Sequence, residues 1–142
     1  MSEPSRKSIL IADDHESVRG ITRIVLERQG FSVTEAVDGV DAVDKASQLK
    51  PDLIVLDLRM PKINGIEVAT ILKGRLPDTP IVLFTMYQAG PVVVSAAGIS
   101  SVVRKADGIN SLAECVTKLL APKPEPFITS SPVSQSPPIA PE

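Results

Sequence analysis

The sequence predicts an α/β fold, with five parallel strands in one sheet and helices wound on both faces. Three observations carry that prediction. Strand-like and helix-like segments alternate five times up to residue 121, a pattern that right-handed crossovers fold into a doubly wound sandwich. Leu53-Ile54-Val55-Leu56 is apolar at every position, as a central parallel strand covered on both faces requires. Finally, four apolar runs each end on a polar group. Ser8 to Ala12 leads into Asp13-Asp14, Leu53 to Leu56 into Asp57, Ile81 to Phe84 into Thr85, and Ser101 to Arg104 into Lys105. Parallel strands would bring these groups together at the carboxyl edge, where open α/β sheets place their ligands.

The elements follow in order. After the first strand, Val18, Ile21, Ile24 and Val25 recur at helical spacing up to Gly30, a residue suited to a helix C′ position. Phe31-Ser32-Val33-Thr34 alternates as a strand with one covered face. Val40, Val43 and Ala46 mark a second helix closed by Pro51, and Ile66, Ala69 and Leu72 stripe a third. Pro77 and Pro80 bracket the turn into the fourth strand. Gly90-Pro91 can open a fourth helix, but Val92-Val93-Val94 is a poor helix-forming run and Gly98 ends it early. The predicted element is short and easily shifted. Leu112, Val116 and Leu119 give the last helix its inward face, with Asn110 or Ser111 as the expected N-cap.

Length and composition bound the organisation. A chain of 142 residues, 43% hydrophobic and 23% charged, suits one core. The predicted domain spans residues 1–121. Seven of the thirteen prolines lie between Pro122 and Glu142, a stretch too poor in apolar surface to offset its ordering entropy. Residues 122–142 are therefore expected to form a disordered Pro/Ser-rich tail. Fifteen Lys and Arg against seventeen Asp and Glu leave a net charge of -2, so no positive field points to direct nucleic-acid binding. The single Cys115 allows no internal disulfide. The first apolar run is too short for a signal sequence or a membrane insertion. A cytoplasmic location is expected.

The chemistry lies at the strand ends. Magnesium takes hard oxygen ligands, usually one or two carboxylates with phosphate oxygens and waters, and Asp13, Asp14 and Asp57 could supply the carboxylates. Crowded carboxylates repel and raise one another's proton affinity unless a divalent cation holds them ionised. A carboxylate can also accept a phosphoryl group as an acyl phosphate, and Asp57 on the central strand is the best placed. Lys105 brings a positive charge for phosphoryl oxygens, and Thr85 a hydroxyl that can donate to one.

These residues resemble the receiver domains of bacterial two-component response regulators. The matching pieces are Asp13-Asp14, the run Asp57-Leu-Arg-Met-Pro61 with Gly65, Thr85 and Lys105, over about Ser8 to Leu120. The resemblance implies the flavodoxin-like, receiver-type fold in a stand-alone form without an output domain. It implies a signalling phosphoacceptor rather than an enzyme, which assists its own phosphorylation and dephosphorylation. Asp57 would accept phosphate from a sensor histidine kinase or phosphotransfer protein. Mg2+ would be held by Asp13, Asp14, Asp57 and the backbone carbonyl of Arg59, with Asp14 binding directly and Asp13 through water. Thr85 would then move onto the phosphoryl group and shift the fourth helix. The face of fourth helix, fifth strand and fifth helix would meet a separate effector or a second copy of the chain.

Departures from the family pattern are equally specific. Ala106 follows Lys105 where proline is common, Met86 follows Thr85 where a small residue is usual, and Val102 stands in place of the fifth-strand aromatic. A different loop geometry behind Lys105 and a narrowed approach to Asp57 are expected, with Tyr87 as a substitute aromatic. Arg59 and Tyr87 flank the presumed acyl phosphate and are expected to shield it from water, lengthening its life.

Taken singly, these residues have blander readings. Asp13 or Asp14 alone would cap a helix, Lys105 would be a solvated strand end and Thr85 a β-favouring residue. Their joint occurrence at four strand ends points to one site. His15 reads as solvent-facing, although Asp-Asp-His is common among receivers joined to helix-turn-helix domains. Cys115 reads as packing, Gly65 as a loop conformation closed to other residues, and Arg19 and Arg23 as a solvated helix face. Two other functions compete. A phosphorylation-independent receiver-fold interaction module is compatible with Met86, Ala106 and Val102. A flavodoxin-like enzyme or nucleotide binder lacks a glycine-rich phosphate loop after the first strand, where Asp13-Asp14-His15-Glu16 would repel an anion.

Overall fold

The structure, a computed structural model, describes residues 6–121. The stretch 122–142, expected to be a disordered tail, lies outside the described residues. Five strand-helix units run in order: β1 (Ser8–Ala12), α1 (Glu16–Arg28), β2 (Ser32–Ala36), α2 (Gly39–Leu49), β3 (Leu53–Leu56), α3 (Gly65–Arg75), β4 (Ile81–Thr85), α4 (Pro91–Ala96), β5 (Ser101–Arg104) and α5 (Ile109–Leu120). A 3-10 turn, Lys105–Asp107, joins β5 to α5. The strands form one parallel sheet in the order β2-β1-β3-β4-β5.

Strand alternation divides the core into two layers. Leu10, Ile54, Leu56, Ile81 and Leu83 face Ala42, Ala46, Val68, Ala69 and Leu72 from α2 and α3. Ile9, Ile11, Leu53, Val55 and Val82 face Leu26 of α1 and Leu112, Ala113 and Val116 of α5. β3 is buried at all four positions, as its unbroken apolar run required. The order reverses between β1 and β3, and this switch point opens a crevice at their carboxyl ends.

The helices depart from the sequence reading in four places, one of them Leu119 of α5, which was read as inward-facing but is exposed while Ala113 is buried beside Leu112 and Val116. In α1 the buried residues are Thr22 and Leu26, whereas Ile21 and Ile24 are exposed. The Thr22 hydroxyl donates to the Val18 carbonyl, 2.7 Å away, so a residue ranked as polar turns inward with its hydrogen bond satisfied locally. In α2 Val40 is exposed and Ala42 takes an inward position. α5 starts at Ile109 after Gly108 at φ 92, and neither Asn110 nor Ser111 caps it. The Gly30 signal holds, and the cap of α3 is found only in the structure. Gly30 follows the α1 C-cap at φ 99, and α3 opens on a capping box between Asn64 and Glu67. α4 has six residues, none of them buried.

Candidate functional site

Four strand ends converge at the switch point. Asp13 and Asp57 follow the adjacent strands β1 and β3, and the Asp57 N–H donates to the Ala12 carbonyl at 2.9 Å. Both are buried, at 2% and 3% exposure. Lys105 reaches in from the end of β5, its Nζ 2.7 Å from Asp13 Oδ2 and 3.2 Å from Asp57 Oδ2. The loop behind it, where Ala106 replaces the family's common proline, is the 3-10 turn, and the lysine still reaches both carboxylates.

Each carboxylate meets a different surrounding. Asp13 Oδ1 accepts from the His15 N–H at 2.9 Å while its Oδ2 takes the lysine. Asp14 is open to solvent. His15, 65% exposed at its side chain, places Nδ1 3.2 Å from Asp13 Oδ1 and 3.3 Å from Asp14 Oδ1. Asp57 Oδ1 is buried and has no hydrogen-bond partner among the described residues. A buried carboxylate oxygen left bare is a costly arrangement. Burial foremost, then the charge of Asp13, pushes the Asp57 carboxyl up from the ordinary carboxylate value, against the opposing pull of Lys105. Burial alone would lower Lys105, but the hydrogen bond and charge of Asp13, with those of Asp57, outweigh it and raise the ammonium.

This donor set fits a divalent cation. Ligand atoms of Asp13, Asp14, His15 and Asp57 lie within 4.8 Å of one another, and hard carboxylate oxygens suit magnesium. The bare Asp57 oxygen is a hard anionic donor that no side chain of the described residues engages.

Thr85, fully buried at the end of β4, accepts from the Tyr87 N–H at 3.1 Å through Oγ1. Its own hydroxyl proton is not used by that bond. A cleft of about 350 Å³ opens above Asp57 and is lined by Asp14, Arg59, Met86, Tyr87 and Lys105 among others. Across its mouth the Arg59 guanidinium carbon stands 4.3 Å from the centre of the Tyr87 ring, a cation–π contact joining two loops. Met86 points largely into solvent at 76% exposure.

Two residues were misread from sequence. Gly65 is the first residue of α3 and has no positive φ; a Cβ there would fall on the Asp57 carbonyl, so the close approach of helix to loop excludes a side chain. Arg19 is not a solvated residue. Its side chain is 11% exposed, and it bonds both Glu35 on β2 and the backbone of Asp13. Only a partner far along the chain reveals it.

The family model described as response regulator receiver domain matches residues 9–117. The response regulator protein VraR of Staphylococcus epidermidis is 36% identical over 114 residues, covering 78% of this chain and 54% of that protein. The alkaline phosphatase synthesis transcriptional regulatory protein PhoP of Bacillus subtilis is 46% identical over 79 residues, 56% of this chain and 33% of that protein. This chain thus spans about half the length, or less, of these curated relatives. Among solved structures, the response regulator protein TrrA of Thermotoga maritima in complex with Mg(2+)-BeF superposes with a TM-score of 0.75 at 32% identity, over 80% of this chain and 99% of that one. The chemotaxis protein CheY4 of Vibrio cholerae gives a TM-score of 0.75 at 26% identity, over 82% of this chain and 100% of that one.

Proposed function

The chain belongs to the response regulator receiver domain family, and we propose on that premise that it is a phosphoacceptor switch of a two-component system. Asp57 takes a phosphoryl group from a sensor histidine kinase or phosphotransfer protein in the cytoplasm. The observation that carries this reading is Asp57 itself, buried with one oxygen against the Lys105 ammonium and the other unpaired.

The transfer balances simply. A lone pair on the Asp57 carboxylate forms a bond to phosphorus, the bond from phosphorus to the donor's imidazole nitrogen breaks, and that nitrogen keeps the electron pair. Lys105 neutralises phosphoryl oxygens, and the Thr85 hydroxyl donates its free proton to one of them while still accepting from Tyr87. Asp13, Asp14, Asp57 and the Arg59 carbonyl are the residues that would hold Mg2+, whose charge lets carboxylates and phosphoryl oxygens share one pocket. Both Asp13 oxygens already have partners, which favours direct ligation by Asp14 and Asp57. The Mg(2+)-BeF complex of the Thermotoga maritima relative supports the same ion here.

Occupation of Asp57 draws on Thr85 and so on the loop leading to α4, the least anchored helix. The α4-β5-α5 face carries exposed Val92, Val93, Val102 and Leu119, apolar surface suited to a separate effector protein or a second copy of the chain. Incubation with Mg2+ and acetyl phosphate should add one phosphoryl mass to the protein and none to Asp57→Asn. No gain on the wild type, or an equal gain on the variant, would overturn the reading and leave the phosphorylation-independent interaction module in its place.

A further inference from the structure

We propose that Arg19 is a positioning residue for the divalent-ion site. Its guanidinium fixes the peptide that carries Asp13 into Asp14, and thereby sets how tightly the protein takes up Mg2+. The inference rests on the reading of this site as an ion-assisted phosphoacceptor.

The geometry is a fork between two strands. Arg19 Nη1 donates to the Asp13 carbonyl at 2.8 Å and Nε donates to Glu35 Oε1 at 2.9 Å. The side chain is 11% exposed, so the two bonds are made away from competing water. Glu35 is itself held from other sides: Arg23 Nη1 donates to its Oε2 at 3.0 Å, and Lys45 Nζ donates to its carbonyl at 2.6 Å. The fork therefore has a fixed base.

What it fixes is the exit of the acidic loop. The Asp13 carbonyl belongs to the peptide joining Asp13 to Asp14, so its direction decides where the Asp14 carboxylate leaves the sheet. The guanidinium bonds this carbonyl and Glu35 rather than the Asp13, Asp14 or Asp57 carboxylate oxygens, so it orients the loop without competing for the donor atoms. Outer contacts of this kind orient ligands and tune metal affinity. Arg23 provides an internal control, because it shares Glu35 but has no bond to Asp13 and is 43% exposed.

Mg2+ titrated calorimetrically into the full chain separates the possibilities. Arg19→Met should weaken Mg2+ binding about tenfold or more, and Arg19→Lys, with one ammonium for two acceptors, should fall between it and the wild type. Arg23→Met, which loosens Glu35 but leaves the Asp13 carbonyl bonded, should lose clearly less affinity than Arg19→Met. In metal-free protein the His15 amide, which donates to Asp13 Oδ1, should exchange with solvent faster in Arg19→Met than in Arg23→Met. Folded Arg19 variants that bind Mg2+ as the wild type does, or an equal loss in Arg23→Met, would overturn the proposal. If Arg19→Met does not fold, Arg19→Lys decides by the same comparison. A wild type that neither binds Mg2+ nor gains mass from acetyl phosphate would instead overturn the phosphoacceptor reading, and the positioning role with it.

Discussion

Asp57 sits where its negative charge is disfavoured. Because burial and the Asp13 charge raise its carboxyl, the folded protein takes up that proton at a higher pH than the unfolded chain. In the window between the two values the native state binds more protons, so stability falls as pH rises through it. Above the window the ionised Asp57 is a full penalty, provided no divalent ion is bound. Asp57→Asn should therefore melt at a higher temperature than the wild type in EDTA at neutral pH, and the gap should close as pH falls toward the ordinary carboxylate range. Thermal unfolding across a pH series checks both parts; a lower melting point for the variant at neutral pH would contradict them. If Asp57 is phosphorylated as proposed, Arg59 and Tyr87 should bear on the lifetime of that state. Their stack is worth about 0.5–1 kcal/mol, which corresponds to a roughly two- to fivefold change in how often the ring leaves the mouth. Arg59→Ala or Tyr87→Ala should shorten the life of the acyl phosphate by about that factor, and the double variant should add little, because either loss already opens the stack. Decay of the phosphorylated mass with time measures it. Both residues, with the acids, Thr85 and Lys105, were legible from sequence because each adjoins a strand end. Arg19 was not, since it lies on α1 and its partner Glu35 is sixteen positions away on β2.

Within the elements, one helix offers a paired test of how the site is built. α3 contains Gly65 at its start and Gly74 near its end. A Cβ at Gly65 would strike the Asp57 carbonyl, whereas at Gly74 nothing lies within 4 Å. Gly65→Ala should destabilise the fold by about 1–3 kcal/mol through overpacking, and should slow phosphorylation by displacing the Asp57 backbone. Gly74→Ala should instead stabilise by about 0.5–1 kcal/mol from helix propensity, with phosphorylation unchanged. Urea unfolding and the acetyl phosphate assay report the two effects separately. Sequence signals of the same elements divide along physical lines. The strands were legible because β3 and residues 81–84 of β4 are buried on both faces and are apolar throughout. The face of α1 was not, because Ile21 and Ile24 are exposed while Thr22 turns inward on a bond to its own helix. The start of α5 depends on the turn at Gly108 rather than on a side-chain cap.

On the scale of the molecule, the sheet is what converts scattered residues into one electrostatic unit. Asp13 and Asp57 lie side by side only because β1 and β3 are neighbours in the order β2-β1-β3-β4-β5, and Lys105 completes the pair from the far edge. That arrangement was readable from the alternation of strand and helix, since parallel order sends every strand end to one side. If the pocket takes up Mg2+ as proposed, the stability of the whole domain should answer to the ion. Without a divalent cation, two buried carboxylates share one ammonium and Asp57 Oδ1 remains bare. A ligand that binds only the folded state adds RT ln(1 + [L]/Kd), about 2.7 kcal/mol at a hundredfold excess over Kd. The wild type should gain that increment in Mg2+, whereas Asp57→Asn, with a neutral oxygen in place of the anionic ligand, should gain much less. The order of melting temperatures expected in EDTA should therefore reverse, with the variant the more stable protein without the ion and the wild type the more stable with it. Parallel melts of both proteins over a Mg2+ series measure the crossing. Curves that remain parallel throughout would mean that the ion is not bound through Asp57.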